Sequence, residues 1–306
     1  MFYLIANVHS GTGRAAKTLK TVENSLKDNR IDYCVYRTEY AGHAGELAKK
    51  ISLLPGEKTL VILGGDGTVN EVINGIEDFA TTRVGLVPAG SGNDFAAGLG
   101  LKKDTKAAIK RIIDDNGERL IDIGRVSFAD ETGSRLFAIS SGVGMDAIVC
   151  KKAQTSKSKS VLNRIGLGKL TYLLITIRTL IDMVNTTARI SRDGGRTWKY
   201  RRMIFAAAMN TFAEGGGVPM APKAKPDSGD LTLTMAFAIS KALSLFVLPF
   251  LVLAKHEKMK CFDVKTFSKC TIRLDEPMTV HADGEYCGEH AEIEYECIPA
   301  LMRLIW

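Results

Sequence analysis

The stretch Thr59-Leu-Val-Ile-Leu-Gly-Gly-Asp-Gly-Thr-Val-Asn-Glu-Val-Ile-Asn-Gly75 decides the fold of this chain. Its first five residues form a continuous apolar run, which is typical of a strand buried on both faces. Glycines then interrupt the run, and apolar residues recur at helical spacing from Val69 to Ile76. The stretch therefore predicts a strand, a glycine-rich turn and a helix, in that order.

The turn between this strand and this helix has the chemistry of a phosphate-binding loop. Gly64, Gly65 and Gly67 leave backbone N–H groups exposed beside the positive end of the helix dipole. The turn has neither the Lys-Ser/Thr ending of a P-loop nor the G-x-G-x-x-G pattern. It carries Asp66, and a carboxylate is tolerated beside phosphates when a divalent cation lies between them. A tight turn whose glycines serve only to reach positive φ is the alternative interpretation.

Strand and helix patterns alternate over about the first 115 residues. Strands are predicted at residues 2–6, 32–37, 59–63 and 83–87, and each is followed by apolar residues at helical spacing. This order predicts a Rossmann-like parallel sheet with helices on both faces, whose ligands lie at the carboxyl ends of the strands.

From residue 119 onward the pattern changes to short alternating runs separated by turn residues, which predicts a mainly antiparallel, sandwich-like second domain. We therefore expect an α/β nucleotide-binding domain over residues 1–120 and a β-rich domain over residues 121–290. Residues 291–306 are expected to return to the first domain.

The bulk composition is that of an ordinary globular protein of 306 residues, with 45% hydrophobic and 25% charged residues. Its six cysteines lack C-x-x-C spacing, which argues against a disulfide framework or a zinc ribbon and fits a reducing cytoplasm. The first residues form a predicted strand rather than a basic start before an apolar core, so no signal peptide is expected.

Positive charge is concentrated between Lys151 and Arg202, where 13 Lys and Arg residues face only two acids. Such a segment suits an anionic membrane or nucleic acid, and the chain has no recognised nucleic-acid-binding motif. Residues 242–254 are strongly apolar and too short to span a bilayer. They are predicted to form a core helix, with a membrane-touching face as the alternative.

Two further motifs accompany the glycine loop: Pro88-Ala-Gly-Ser-Gly-Asn-Asp-Phe-Ala96 and His281-Ala-Asp-Gly-Glu285. Together with Gly64-Gly-Asp-Gly-Thr68, and in this order, they resemble the diacylglycerol kinase catalytic-domain family, specifically its compact bacterial lipid kinases. The resemblance extends nearly end to end. It also covers Arg37-Thr38 with His43-Ala44, Asn210 with Gly215-Gly-Gly217, and Ala221-Pro-Lys-Ala224.

The resemblance implies ATP with Mg²⁺ as the phosphoryl donor and a lipid hydroxyl, most simply that of diacylglycerol, as the acceptor. It assigns Glu285 as the general base, with Asp283 as a rival in the same turn, and it makes Asp66 a catalytic residue that holds Mg²⁺ together with Asp94. Nucleotide contacts are implied for Asn7, Ser10, Gly11, Thr38, Gly64, Gly65, Asp66, Gly67, Thr68, Val69, Asn70 and Ser91.

One family motif departs from the pattern. Members often bind a structural Mg²⁺ where an Asp precedes a Gly, and here Ser228 precedes Gly229. The metal at this loop, with Lys225, Ser228 and Asp230 as candidate ligands, stays open. His281, Cys287 and His290 suggest a zinc site, but a fourth ligand at recognisable spacing is missing, so zinc is not expected.

The acceptor is the least defined part of the prediction. A lipid substrate requires contact with a bilayer, and the predicted peripheral contact is a basic face comprising Lys151, Lys152, Lys157, Lys159, Arg164 and Lys169. The alternatives are an NAD kinase or other small-metabolite kinase with the same glycine loop, and a catalytically silent nucleotide- or lipid-binding regulator. The hypothesis of a nicotinamide-dependent oxidoreductase is supported only by the motif Gly11-Thr-Gly13. The sequence does not define the oligomeric state or regulation.

Overall fold

The structure is a computed structural model that describes residues 1–8, 14–129, 133–155 and 168–306. The chain divides into two compact units. The first contains Met1–Ile123 and Ile298–Trp306, and the second contains Gly124–Cys297.

A parallel sheet forms the centre of the first unit. Its strands are β1 (Phe2–Ala6), β2 (Tyr33–Arg37), β3 (Lys58–Gly64) and β4 (Thr82–Pro88). They lie in the order β2-β1-β3-β4, and neighbouring strands run parallel. The helices are α1 (Arg14–Asp28), α2 (His43–Ser52), α3 (Asp66–Gly75), α4 (Asp94–Gly98) and α5 (Thr105–Asp114).

All seven residues of β3 are buried, as the apolar run predicts for a central strand of a parallel sheet. The last residues of the chain add to this sheet, because Arg303 and Leu304 pair in parallel with Arg83 and Val84 of β4. The Arg303 guanidinium also contacts the carboxylates of Glu57 and Glu118. The carboxyl-terminal residues are therefore part of the first unit.

The second unit is built mainly from antiparallel strands. Its strands are β5 (Glu118–Phe128, which begins in the first unit), β6 (Ser134–Phe137), β7 (Ser140–Gly144), β8 (Thr186–Arg192), β9 (Trp198–Met203), β10 (Phe205–Met209), β11 (Leu231–Ala236), β12 (Phe262–Phe267), β13 (Lys269–Ala282) and β14 (Glu285–Ile305, which ends in the first unit). The helices are α6 (Met145–Thr155), α7 (Gly168–Asp182) and α8 (Lys241–Val252), followed by a 3₁₀ turn at His256–Lys258.

Within the second unit, β12, β11, β10, β7, β13 and β14 are successive neighbours, and β8 joins β13 and β9. Neighbouring strands in this set run antiparallel. The predicted fold class, an α/β domain followed by a mainly antiparallel β-rich domain, is confirmed.

Two details of the second unit differ from the predictions. The run of residues 203–209 predicts one strand, but β9 ends at Met203 and β10 begins at Phe205, after Arg202 adopts a φ of 51°. The apolar pattern of residues 161–184 predicts an amphipathic helix, but the described helix α7 ends at Asp182, and the first seven of these residues lie outside the described part of the chain.

The prediction that residues 242–254 form a core helix is wrong. Helix α8 buries Ser244, Val247 and Leu251, which occupy one narrow stripe. Five of its large apolar side chains are exposed, namely Leu243, Leu245, Phe246, Phe250 and Val252. Leu253, directly after the helix, is exposed as well. The residues of this helix are apolar on every one of its faces, so the sequence does not indicate which face is buried. Among the helices that the structure describes, none combines the length and apolar character needed to cross a bilayer.

Candidate functional site

The carboxyl ends of the parallel strands bring the predicted nucleotide-binding loops of the first unit to one edge of its sheet. Ala6 of β1 lies opposite both Arg37 and Leu63, and Gly64 lies opposite Pro88. Backbone hydrogen bonds continue this register beyond the strands. Thr38 N–H donates to Ala6 O at 3.0 Å, Asn7 N–H donates to Leu63 O at 3.0 Å, and Ala89 N–H donates to Gly64 O at 2.8 Å. Sequence reasoning placed these loops together for the same reason.

The two glycine loops pack backbone against backbone. A Cβ added to Gly90 would lie 2.5 Å from Gly65 Cα, so only glycine fits at this approach. Asn93 fixes the second loop, because its side chain accepts from Gly90 N–H and donates to Gly90 O, both at 2.9 Å. The close approach leaves no room for side chains between the loops, which is the arrangement expected where backbone rather than side chains faces a ligand.

Asp66 links the first loop to the second. It is the first residue of α3, and its Oδ1 accepts a hydrogen bond from the N–H of Phe95 in α4 at 3.1 Å. The first N–H groups of a helix have no intrahelical acceptor, so the start of α3 directs backbone donors outward beside this carboxylate. Backbone donors next to a carboxylate can bind a phosphate group together with a divalent cation.

The other predicted nucleotide residues fall into three groups. Ser10 and Gly11 lie outside the described residues. Asn7 reaches the loop, since its Nδ2 donates to Thr68 Oγ1 at 3.3 Å, and Ser91 is exposed beside it. Val69 and Asn70 are buried, and Asn70 accepts hydrogen bonds from Asn74. The implied contacts of the Val69 and Asn70 side chains with a nucleotide are therefore not supported by where these side chains lie.

In the second unit, Glu285 is the first residue of β14, directly after a two-residue turn. Asp283 and Gly284 form the turn with φ of 51° and 85°, and Ala282 pairs with Glu285 across it. Two successive positive φ values are typical of the tight turn that joins antiparallel strands. Glu285 is half-buried, and its carboxylate makes no hydrogen bond to any of the described residues.

Asp283 is an anchor of this turn. Its carboxylate accepts hydrogen bonds from the N–H groups of Ala138, Ile139 and Ser140 at 2.8 to 3.1 Å. Asn210, which belongs to the predicted second-domain motif, donates from Nδ2 to Ala138 O at 2.9 Å. Asp283 therefore holds the turn against residues 138–140, and the alternative that it acts as the base is not favoured.

A buried cluster of ionisable groups lies behind the turn. His281 Nε2 is 2.7 Å from Asp146 Oδ2, and Glu214 bonds both Asp146 and the Ser140 hydroxyl. Burial and the neighbouring Asp146 charge raise the pKa of Glu214 to about 8. Burial lowers the pKa of His281 and the Asp146 carboxylate raises it, while the hydrogen bond that Nδ1 accepts from the Gly284 N–H requires the neutral ring. Asp146 and Glu214 were missed from the sequence, because nothing in their local patterns indicates this pairing.

The structure does not assemble the zinc site considered from the sequence. His281 faces Asp146, whereas His290 stacks on Phe128 with ring centroids 3.8 Å apart. Among the described residues, Asp146, Cys150 and His281 do bring potential ligand atoms within 4.8 Å of one another. The direct 2.7 Å contact between the His281 ring and Asp146 has the length of a hydrogen bond.

The loop at residues 225–230 closes on itself through hydrogen bonds. The Ser228 hydroxyl lies 3.0 Å from Lys225 O and 3.1 Å from Asp230 O, and the Asp230 carboxylate accepts from the Ser268 hydroxyl at 2.8 Å. A hydroxyl and two carbonyls offer no negative charge at the centre of the loop, where Mg²⁺ favours carboxylate oxygen. Lys225, Ser228 and Asp230 as placed therefore do not fit the structural metal of the family.

Part of the predicted basic face is already engaged. Lys151 lies over the Tyr286 ring at 4.0 Å and 3.6 Å from Glu289, and Lys152 donates to Thr179 Oγ1 at 3.1 Å. Lys157, Lys159 and Arg164 lie outside the described residues, and the Lys169 side chain is also outside them.

Comparison with known proteins assigns the class of both units. Residues 1–126 match the family model described as diacylglycerol kinase catalytic domain. Residues 139–306 match the model described as YegS C-terminal NAD kinase beta sandwich-like domain. These matches and the fold define a two-domain kinase. The chain belongs to the family that the second model describes, its residues 1–126 form a diacylglycerol kinase catalytic domain, and the prediction of a lipid kinase enzyme is confirmed.

Relatives match along almost the whole chain. YtlR of Bacillus subtilis (strain 168) is 28% identical over 291 residues, which cover 94% of each protein. A protein named diacylglycerol kinase from Mycobacterium tuberculosis is 26% identical over 309 residues, covering 98% of this chain and 93% of the relative. A solved structure from Bacillus anthracis str. Sterne covers 100% of this chain and 96% of its own, with a TM-score of 0.78 and 21% identity, which shows the fold alone.

Proposed function

We propose that this chain is an ATP- and Mg²⁺-dependent lipid kinase, which transfers the γ-phosphoryl group of ATP to the hydroxyl of diacylglycerol or a related lipid alcohol. The observation that carries the proposal is the packing of the Gly64–Thr68 loop against the Pro88–Ala96 loop, with Asp66 at the start of α3 accepting a hydrogen bond from Phe95 N–H at the start of α4. A loop of this kind occurs in several kinases, and the match to the diacylglycerol kinase catalytic domain favours a lipid over a soluble acceptor.

The first unit binds the donor in this proposal. Backbone N–H groups at the start of α3 contact the phosphates, and Asn7 and Thr38 border the same edge. Asp66 and Asp94 hold the Mg²⁺, since two carboxylates at the ends of neighbouring strands provide the oxygen ligands that this cation prefers. The cation neutralises charge on the phosphate oxygens during transfer.

The second unit supplies the base. Glu285 accepts the proton of the acceptor hydroxyl as the new O–P bond forms, and a carboxylate suffices because the proton leaves late in a loose transition state. Its half-buried position directly after a hairpin turn supports this role, since Asp283 is committed to backbone hydrogen bonds. The mechanism requires Glu285 to reach the γ-phosphate when both substrates are bound.

The acceptor is taken from a membrane surface, and the exposed apolar side chains of α7 and α8 support this. We call the following set the apolar surface: Leu174, Ile181, Val184, Leu243, Leu245, Phe246, Phe250, Val252 and Leu253. Lys255, Lys258 and Lys260 are exposed directly after α8. Large apolar side chains next to lysines are typical of a face that lies in the headgroup region of an anionic bilayer. The protein therefore acts in the cytoplasm as a peripheral membrane enzyme, a location that also suits cysteines that form no disulfide.

Transfer of radiolabelled phosphate tests the proposal. ATP labelled at the γ position is incubated with Mg²⁺ and vesicles that contain diacylglycerol, monoacylglycerol, a sphingoid base or an undecaprenyl-type alcohol, and in parallel with NAD as a soluble acceptor. The proposal predicts labelled lipid product from at least one vesicle sample and none from NAD. Labelled NAD phosphate without lipid product would favour the small-metabolite alternative, and label in neither acceptor would favour a silent regulator.

A further inference from the structure

The turn before Glu285 is held by a hydrogen bond from its backbone to a side chain, in addition to the backbone hydrogen bonds between the two strands of the hairpin. Gly284 N–H donates to Nδ1 of His281 at 3.0 Å. The paired strands join Ala282 to Glu285, so the ladder does not use this N–H group. Buried backbone donors are almost always paired, and here the histidine ring provides the acceptor.

The hydrogen bonds of His281 define its tautomer. A ring nitrogen that accepts from a backbone N–H carries no proton, so Nδ1 is unprotonated. The proton of the neutral ring therefore sits on Nε2, which donates to Asp146 Oδ2 at 2.7 Å. Asp146 thus orients the ring in the same way that a carboxylate orients a catalytic or metal-bound histidine.

The groups around the ring are themselves fixed. His281 is buried, and its backbone oxygen accepts from the Ser141 hydroxyl at 2.6 Å. Asp146 lies in the first turn of α6 and is bonded to Glu214, which in turn bonds Ser140. The charged groups that face His281 are Asp146, Glu214 and Asp283. A rigid chain of contacts therefore extends from α6 to the turn.

We propose that His281 is a positioning residue for Glu285, and that Asp146 keeps it in the required tautomer. Asp283 fixes the turn on one side against residues 138–140, and His281 fixes the Gly284 peptide on the other. Glycine has the widest backbone freedom of any residue, so without this bond the Gly284 backbone would sample more orientations and Glu285 would follow it. The proposal depends on the proposed role of Glu285 as the base.

Two substitutions separate the two hydrogen bonds of the ring. In His281→Asn, the amide oxygen lies near the former Nδ1 and can still accept from Gly284, but the side chain is too short to reach Asp146. In His281→Gln, the amide reaches toward Asp146 and loses the acceptor beside Gly284. We expect His281→Gln to lower kcat by about ten- to a hundredfold, and His281→Asn to lower it by only about threefold, because misplacing a catalytic group costs rate steeply. The KM for ATP stays the same in both variants.

His256→Gln is the matched control. His256 is a second buried histidine of the same unit, and its Nε2 lies 3.0 Å from Met220 O. This variant should lose thermal stability comparably to His281→Gln and keep its kcat. If kcat follows thermal stability across all three variants, or if Asn and Gln at position 281 behave alike, the positioning role is overturned.

The double variant distinguishes this proposal from the proposed function. In a Glu285→Gln background, His281→Gln should cost no further rate, because the group that it positions is already absent. An equal loss in both backgrounds would overturn positioning through Glu285. If Glu285→Gln alone keeps wild-type kcat, the assignment of the base fails, whatever the His281 variants show.

Discussion

The backbone N–H of Gly284 donates a 3.0 Å hydrogen bond to Nδ1 of His281, three residues earlier in the same hairpin. A comparable contact organises the first unit, where the N–H of Phe95 donates to the carboxylate of Asp66 at 3.1 Å. In each unit an ionisable side chain, Asp66 or His281, accepts a hydrogen bond from a backbone N–H group close to a glycine. Both contacts fix the local backbone from which the candidate catalytic groups project.

Asp66→Asn should lower phosphoryl transfer by at least about a hundredfold while leaving the fold intact. The amide oxygen of asparagine can still accept from Phe95 N–H, so the contact with α4 survives. The negative charge that would bind Mg²⁺ is lost. Steady-state transfer rates over a range of Mg²⁺ concentrations measure the effect.

Asp104→Asn is the control for this substitution. Asp104 also caps a helix, because its Oδ1 accepts from the N–H groups of Lys106 and Ala107, and asparagine is an equally good cap. Transfer by this variant should equal that of the wild type. An Asp66→Asn enzyme with wild-type rates at all Mg²⁺ concentrations would contradict the metal-binding role.

Phe246→Ser combined with Phe250→Ser should weaken binding to anionic vesicles by about tenfold or more, since each aromatic side chain contributes apolar area to the bilayer contact. These side chains are 73% and 45% exposed, so their replacement should not destabilise the protein. Vesicle sedimentation at low and high salt measures binding. Leu53→Ser, at a 62% exposed leucine of the first unit, is the control, and equal vesicle binding by all variants would contradict the membrane role of the apolar surface.

The stability of the second unit should fall as the pH rises from about 5 to about 8. The pKa of Glu214 is raised from 4.5 to about 8 in the folded protein, so the unfolded chain loses this proton first. Since the folded state binds the extra proton, its advantage is complete below pH 4.5 and is lost as the pH approaches 8. His281, Asp146 and Ser140 surround the group, and His281 stays neutral because its Nδ1 accepts the Gly284 N–H.

Urea unfolding of a Trp306→Phe protein, in which Trp198 reports on the second unit alone, measures this dependence. The free energy of unfolding should fall by roughly 3 to 4 kcal/mol over this pH range, since one pKa unit corresponds to about 1.4 kcal/mol. In the same background Glu214→Gln should remove most of the slope. Equal slopes with and without the glutamate would show that its carboxyl is not protonated in the fold.

Ser228→Asp should create a Mg²⁺ site that the wild-type loop lacks. The new carboxylate would lie between the carbonyl oxygens of Lys225 and Asp230, where the hydroxyl now sits. Millimolar Mg²⁺ should then raise the melting temperature of the variant by a few degrees through binding to the folded state, and leave that of the wild type unchanged. If chelation lowers the melting temperature of the wild-type protein and added Mg²⁺ restores it, the conclusion that the wild-type loop lacks a Mg²⁺ site is contradicted.

Much of the first unit could be predicted from local sequence. Continuous apolar runs such as that of β3, followed by glycine loops, determine both the strand order of a parallel sheet and the edge where its ligands bind. Strand β9 was not predicted, because Lys199, Arg201 and Arg202 are exposed and its apolar residues do not alternate. An edge strand with this pattern resembles a solvated loop.

The second unit shows where sequence reasoning ends. Asp146 and His281 are separated by 135 positions, and Glu214 lies in a glycine-rich loop between them. Only the antiparallel pairing of β7 with β13 brings them together, and no local pattern encodes this pairing. The exposure of α8 has the same origin, since which of its apolar residues are buried depends on the surface that the rest of the chain offers.

The rate of a single turnover with Glu285→Gln tests the central claim most directly. Enzyme in excess is mixed with γ-labelled ATP, Mg²⁺ and lipid vesicles, and ATP affinity is measured separately by calorimetry. We predict a loss of phosphoryl transfer of about a hundredfold, typical of a missing general base, with unchanged affinity for ATP. Transfer at the wild-type rate, or a loss explained entirely by weaker ATP binding, would contradict the mechanism in which Glu285 receives the proton of the lipid hydroxyl.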